Sequence, residues 1–168
     1  MMREIRLYGD PVLREMSEAV EDVDDRIRRL IDDLVETMYA AEGIGLAAPQ
    51  VGVALRVFVY DVRDPEIEPG VLINPEIVER EGAVRDEEGC LSLPGLTEIV
   101  ERAERVVVRG LDRDGNPIEM EATGLLSRCL QHEKDHLDGV LFIDRVSPLK
   151  RRMLLRKWKK RGEGDAGP

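Results

Sequence analysis

Histidine is scarce in this chain: among 168 residues the only imidazoles are His132 and His136. Cysteine is equally rare, with Cys90 and Cys129 alone, which excludes a disulfide-stapled fold and leaves thiol chemistry or metal ligation as the use of a special one. Aromatic residues make up 4% of the chain, so the core must be built from aliphatic side chains. No uninterrupted apolar run is long enough for a bilayer. The opening Met1-Met2-Arg3-Glu4-Ile5-Arg6 carries charge where a secretory signal needs an apolar stretch, so no membrane association is expected and the expected location is the cytoplasm. Internal repeats are missing, and the one glycine-bracketed segment lacks the lysine that a phosphate loop requires.

What is present suits one globular domain: 42% hydrophobic and 36% charged residues exclude wholesale disorder. The charge is uneven. Of 25 basic residues, eight lie between Lys150 and Arg161 among no acids, leaving 17 against 33 acidic residues in 1–149, a net −16. An acidic body with a basic carboxy-terminal segment suggests an anionic partner for that segment, or a solvated helix end.

Between Asp22 and Glu42 the residues Val23, Ile27, Leu30, Ile31, Leu34, Val35 and Met38 recur at three- and four-residue steps. They predict an amphipathic helix with Asp22 or Asp24 as N-cap and Gly43 as the stop. Val53 to Asp61 and Val71 to Val78 are rich in β-branched residues and predict strands. Arg105 to Leu111 and Pro117 to Glu121 flank Asp112-Arg113-Asp114-Gly115-Asn116 and predict a hairpin. A helix follows from Gly124 to Asp138, with Thr123 as N-cap and Gly139 just past its end. Another, from Pro148 to Arg161, is expected to pack through Leu149, Met153 and Leu155, and residues 162–168 are expected to be disordered. The fold class is α+β with mainly antiparallel sheet.

His132-Glu133-Lys134-Asp135-His136 places two imidazoles one helical turn apart on one face, where both can ligate one metal ion, with Glu133 beside them to hold a water. A closed structural site needs four protein ligands, which this chain could supply only through Cys129, awkwardly placed three residues before His132 on the same helix. A catalytic metal is therefore favoured. Cys90, in the glycine- and proline-flanked Glu87-Glu88-Gly89-Cys90-Leu91-Ser92-Leu93-Pro94-Gly95, is the better third ligand. A thiolate with two imidazoles suits Fe(II), Zn(II), Co(II) or Ni(II) and leaves a fourth position open. In Gly43-Ile44-Gly45-Leu46-Ala47-Ala48-Pro49-Gln50 the glycines read as a tight helix-to-strand turn, while Gln50, a lone amide in an apolar run, is the donor type used by an oxyanion site.

These three segments, in this order and spacing, resemble the three motifs of bacterial peptide deformylase, and the resemblance runs from Tyr8-Gly9-Asp10-Pro11 to about Lys150. It implies antiparallel sheets packed around a central helix carrying the His-Glu-x-x-His run, a catalytic domain over residues 1–150, and one divalent metal ion, usually Fe(II), on Cys90, His132 and His136. It further implies Glu133 as general acid/base, Gln50 and the backbone N–H of Leu91 as oxyanion donors, and Ile44, Gly45 and Gly89 along the substrate backbone. The implied substrate is the N-formyl-methionyl end of a newly made chain. The implied partner of the basic helix over 148–161 is the ribosome, with the enzyme acting as a monomer. Departures from many members are Asp86 and Arg128 near the methionine pocket, read as a pair at its rim, and Gly95-Leu96-Thr97 without an arginine at its last position.

Two other readings share the metal helix. A zinc metalloprotease of the His-Glu-x-x-His type takes a further His or Glu ligand, and no third histidine exists here. A structural metal with an RNA-binding tail leaves Gln50 and the open position without purpose.

Overall fold

The computed structural model describes residues 1–165, with side chains to residue 162. Helix α1 spans Asp25–Ala40, and Asp24 caps it by accepting from the N–H groups of Arg26 and Ile27. Its end differs from the expected one. Glu42, not Gly43, adopts the left-handed conformation (φ 58°), and the Gly43 N–H bonds back to the Met38 carbonyl at 3.0 Å, so the helix closes in a Schellman-like turn one residue early.

Strands β1 (Gly45–Ala47), β2 (Val57–Tyr60), β3 (Gly70–Glu81), β6 (Arg105–Leu111) and β7 (Pro117–Thr123) form one antiparallel sheet in the order β1-β2-β3-β6-β7. β2 is shorter than the expected Val53–Asp61, because Val53 is held in a turn to the Ala48 carbonyl. All four residues of β2 are buried: Val57 and Val59 pack towards α1 and Phe58 and Tyr60 towards the opposite face, which is why this strand reads as an unbroken apolar run. Pro75 sits inside β3 without damage because the ladder shifts register between Ile73 and Glu76, where no donor is needed.

β4 (Val84–Gly89) and β5 (Thr97–Arg102) pair as a separate two-stranded antiparallel sheet. Helix α2, Gly124–Leu137, has eleven buried residues, among them Arg128, His132, Glu133, Asp135 and His136. Thr123 occupies the N-cap position, but its side chain makes no capping bond.

Helix α3 runs Pro148–Asp165. It continues past the expected end at Arg161 because glycine lowers helix stability without forbidding it and no proline intervenes before residue 168; of the expected tail, 166–168 lie outside the described residues. Its packing also differs from expectation. Leu149 and Met153 are exposed, whereas Leu154 is buried and Leu155 and Trp158 pack with it against Leu93, Leu96 and Phe142; the helix turns a neighbouring face to the body. No helix among the described residues is long and apolar enough to cross a membrane. The whole is a mixed α and β fold with antiparallel sheets.

Candidate metal centre

The two histidines of α2 and the cysteine that follows β4 meet at one point. Cys90 Sγ lies 3.3 Å from His136 Nε2, which lies 3.2 Å from His132 Nε2, and the three ligand atoms all fall within 4.8 Å of one another. Two imidazole nitrogens and a sulfur facing each other so closely repel unless a cation or proton sits among them. Tetrahedral ligands of a metal with ordinary metal–nitrogen and metal–sulfur bonds stand about 3.3–3.6 Å apart, so the donor set fits such an ion. Cys129, by contrast, points its thiol at the Ile44 carbonyl, 3.5 Å away, and is fully buried with its pKa pushed up by that burial.

Each donor is oriented from behind. His132 Nδ1 faces Glu88 Oε1 at 2.5 Å, which fixes the tautomer that leaves Nε2 free to ligate. Burial alone would raise the pKa of Glu88, but hydrogen bonds from His132 and Arg102 overcome it and hold the carboxyl far below the usual range. Burial opposes charge on His132, yet bonds to Cys90 and Glu88 favour a proton there; burial and His132 itself push His136 well below the usual imidazole range. Gln50 is 1% exposed. Its Oε1 accepts from the Ala47 N–H at 3.0 Å, and its Nε2 donates to Ser92 Oγ at 3.1 Å and lies 3.6 Å from Cys90 Sγ. The amide singled out in the sequence thus sits at the cluster.

Glu133 projects beside the three donors. Its Oε1 is buried and has no hydrogen-bond partner among the described residues, and burial raises its pKa to about 7. A carboxyl with that affinity and an unused oxygen is suited to exchanging a proton near neutrality. A cleft of about 480 Å³ opens onto it, walled by Ile44, Gly45, Gly89, Leu91 and Leu125. Gly45 owes its identity to this closeness, whereas Gly43 lies in the turn that closes α1. Neither has positive φ; a Cβ on Gly43 would fall 2.7 Å from Leu91 Cδ1, and one on Gly45 would fall 2.6 Å from Glu133 Oε2.

The expected pair of Asp86 with Arg128 is absent. Arg128 is buried and donates to Glu88 and to the carbonyls of Val100 and Val84, while Asp86 accepts from the adjacent Glu87 N–H; the long Arg128 side chain reaches strong acceptors beneath the hairpin before it reaches the rim. The support network of Glu88, Arg102, Arg128 and Asp135 was not assigned from sequence. The one available signal was the four-residue step from Arg128 to His132 on α2, since Arg102 lies in a distant strand.

A model of the polypeptide deformylase family matches residues 2–152. A peptide deformylase of Thermodesulfovibrio yellowstonii is 55% identical over 158 residues, 93% of this chain and 96% of the relative. The crystal structure of a peptide deformylase from Legionella pneumophila is 47% identical and superposes with a TM-score of 0.92, covering 100% of both chains. One from Synechococcus elongatus, in complex with actinonin, is 46% identical with a TM-score of 0.87 over 92% of this chain and 86% of that one. The chain belongs to the polypeptide deformylase family.

Proposed function

We propose that the family's reaction, removal of the formyl group from the N-terminal formyl-methionine of newly synthesised polypeptides with release of formate, runs in this chain at a single divalent metal ion held by Cys90 Sγ, His132 Nε2 and His136 Nε2, at the heart of a catalytic unit over residues 1–150 whose sheets surround α2. The observation that carries this reading is the convergence of those three donors beside a buried, unpartnered oxygen of Glu133. Fe(II) is the favoured ion, with Zn(II), Ni(II) or Co(II) compatible with the same mixed sulfur and nitrogen set.

When bound, the ion supplies a Lewis acid and lowers the pKa of the attacking water towards about 7. Glu133, through its unpartnered carboxylate oxygen, would take a proton from the attacking water and return it to the departing amide nitrogen, which cannot leave as an anion. The negative charge that gathers on the former carbonyl oxygen is met by the Gln50 side-chain amide, held in place through Ala47 and Ser92, and by the backbone N–H of Leu91. Ile44, Gly45 and Gly89 line the path of the substrate backbone. The cleft lined by Ile44, Leu91 and Leu125 would take the methionyl end of the substrate and is the place where actinonin would bind. We propose that the enzyme acts as a monomer.

The basic helix α3 serves the same substrate by docking the enzyme on ribosomal RNA. Arg152, Arg156, Lys159 and Lys160 are exposed, while Leu154 anchors the helix to the body, so these four charges face outward where phosphates would meet them. Protein purified without air should release formate from formyl-Met-Ala in proportion to its metal content. A chain that binds metal but leaves the formyl peptide intact contradicts the proposal.

A further inference from the structure

The donors of the metal centre come from two separately built bodies. His132 and His136 are rigid parts of α2, whereas Cys90 follows directly on Gly89 at the end of β4, and the β4–β5 hairpin shares no ladder with the five-stranded sheet. A lone two-stranded hairpin has little stability or fixed position of its own. Val100 seats the hairpin in an apolar cluster with Leu93, Leu96 and Phe142; towards α2 side-chain bonds set its position, and Arg128 alone in α2 grips both strands. Its Nη1 donates to Glu88 Oε2 in β4 at 2.8 Å and to the Val100 carbonyl in β5 at 2.9 Å, and its Nη2 donates to the Val84 carbonyl at the start of β4 at 2.9 Å. Arg102, at the end of β5, ties the hairpin to α2 at a single carboxylate, that of Asp135, while its other side-chain bonds stay within the hairpin at Glu88.

We infer that Arg128 is the positioning residue that sets the spacing of Cys90 from His132 and His136, by clasping both strands of the β4–β5 hairpin to the metal-bearing helix. The inference rests on the metal site proposed above. The clasp needs a planar guanidinium with several fixed donors; the single nitrogen of lysine cannot reach a carboxylate in one strand and carbonyls at two further positions together. Bonds of this kind behind metal ligands govern how firmly the ion is kept, by about 10- to 100-fold when one is removed.

The test uses full-length, Co(II)-loaded protein as parent, Arg128→Met, Arg128→Lys and Asp86→Ala. Expected for Arg128→Met is a shifted cobalt–thiolate absorption band and metal loss to a chelator faster by about 10- to 100-fold, with kcat lowered more than KM is raised. Arg128→Lys, which keeps the charge beside Glu88, should restore thermal stability towards the parent without restoring the band or the rate of metal loss. Asp86→Ala, in the same strand but outside the clasp, should behave as the parent. A parental spectrum and rate of metal loss in Arg128→Met, whatever its melting temperature, overturns the inference, as does complete rescue of both by lysine. If the parent itself shows no cobalt–thiolate band, the metal-site reading fails instead, and the two failures are thereby told apart. Should Arg128→Met fold too poorly to load, Arg128→Lys carries the same two readouts.

Discussion

Gly45 and Glu133 are in such close register that a single methyl group on the glycine would sit 2.6 Å from the carboxylate oxygen Oε2 and 2.8 Å from the carboxyl carbon. At this point the Glu133 side chain fills the gap between strand β1 and helix α2, and the glycine holds open the place of the proton-carrying group. Gly45→Ala should leave the metal bound, because no donor moves with Glu133, while displacing the carboxylate; a misplacement of this size costs about 10²-fold in kcat. Steady-state kinetics with metal analysis checks this, and an unchanged kcat would mean that Glu133 tolerates relocation.

Glu133→Ala should likewise retain the metal and lose turnover by about 10²- to 10⁴-fold, the range for a lost general acid/base. Cys90→Ser should weaken metal binding, and Cys129→Ser should not, since the Cys129 thiol faces a carbonyl away from the cluster. The reverse pattern in metal content would reassign the ligands.

Gln50→Ala should lower kcat by about 10²- to 10³-fold with a smaller change in KM, because the amide acts on charge present mainly in the transition state. A change confined to KM would make Gln50 a group that merely holds substrate.

The Glu133 carboxyl also predicts a pH dependence of stability in metal-free protein. Its pKa rises from the ordinary 4.5 to about 7 through burial, so between those values the folded chain holds a proton that the unfolded chain has released. Stability from this group is fully present below the ordinary pKa and is lost as pH rises through about 7, by roughly 3 kcal/mol in all. Glu88 acts oppositely: its pKa is depressed, so its contribution is present above the ordinary carboxyl range and lost as pH falls below it. Urea unfolding of the chelated parent and of Glu133→Gln at about pH 5 and about pH 8 separates the two. On raising the pH, Glu133→Gln should lose less stability than the parent, the remaining dependence belonging to His132 and His136. Equal slopes would show that Glu133 is not the titrating group.

For the basic helix, Arg152→Gln with Lys159→Gln and Lys160→Gln should reduce ribosome co-sedimentation and flatten its salt dependence. Neutralising exposed charges is a cleaner test than truncation after Ser147, which would also remove buried Leu154 and the Trp158 ring that meets Tyr8 edge-on at 6.3 Å. Salt-independent sedimentation of the parent would leave the helix as a solvated face.

The parts of this architecture visible in the sequence are those encoded locally. The four-residue step between His132 and His136 is a helical property, and Gln50 stood out as a lone amide in an apolar run. The β6–β7 hairpin was marked by its Asp112-to-Asn116 turn, and α1 by the spacing of Leu30, Ile31, Leu34 and Met38. The β4–β5 hairpin escaped because Arg85, Asp86, Glu87 and Glu88 carry no apolar alternation; of its three buried residues only Val100 is apolar, and charged Glu88 and Arg102 are satisfied by partners far along the chain. The turn reading holds for Gly43, which closes α1, but not for Gly45. The close approach of Glu133 that demands a glycine there is tertiary, and a turn is the commoner local explanation. The buried face of α3 was misjudged because Leu149, Met153, Leu154 and Leu155 offer competing stripes, and only the shape of the Leu93–Phe142 surface selects one.

The most direct test of the central claim is an add-back titration: strip the protein of metal without air, return Fe(II) in increments, and follow formate release from formyl-Met-Ala. Activity should rise from near zero in a straight line and level off at about one equivalent of metal per chain, while Cys90→Ser shows no such sharp endpoint. Full activity in the stripped protein, or an endpoint identical in Cys90→Ser, would contradict the assignment of the reaction to an ion held by Cys90, His132 and His136.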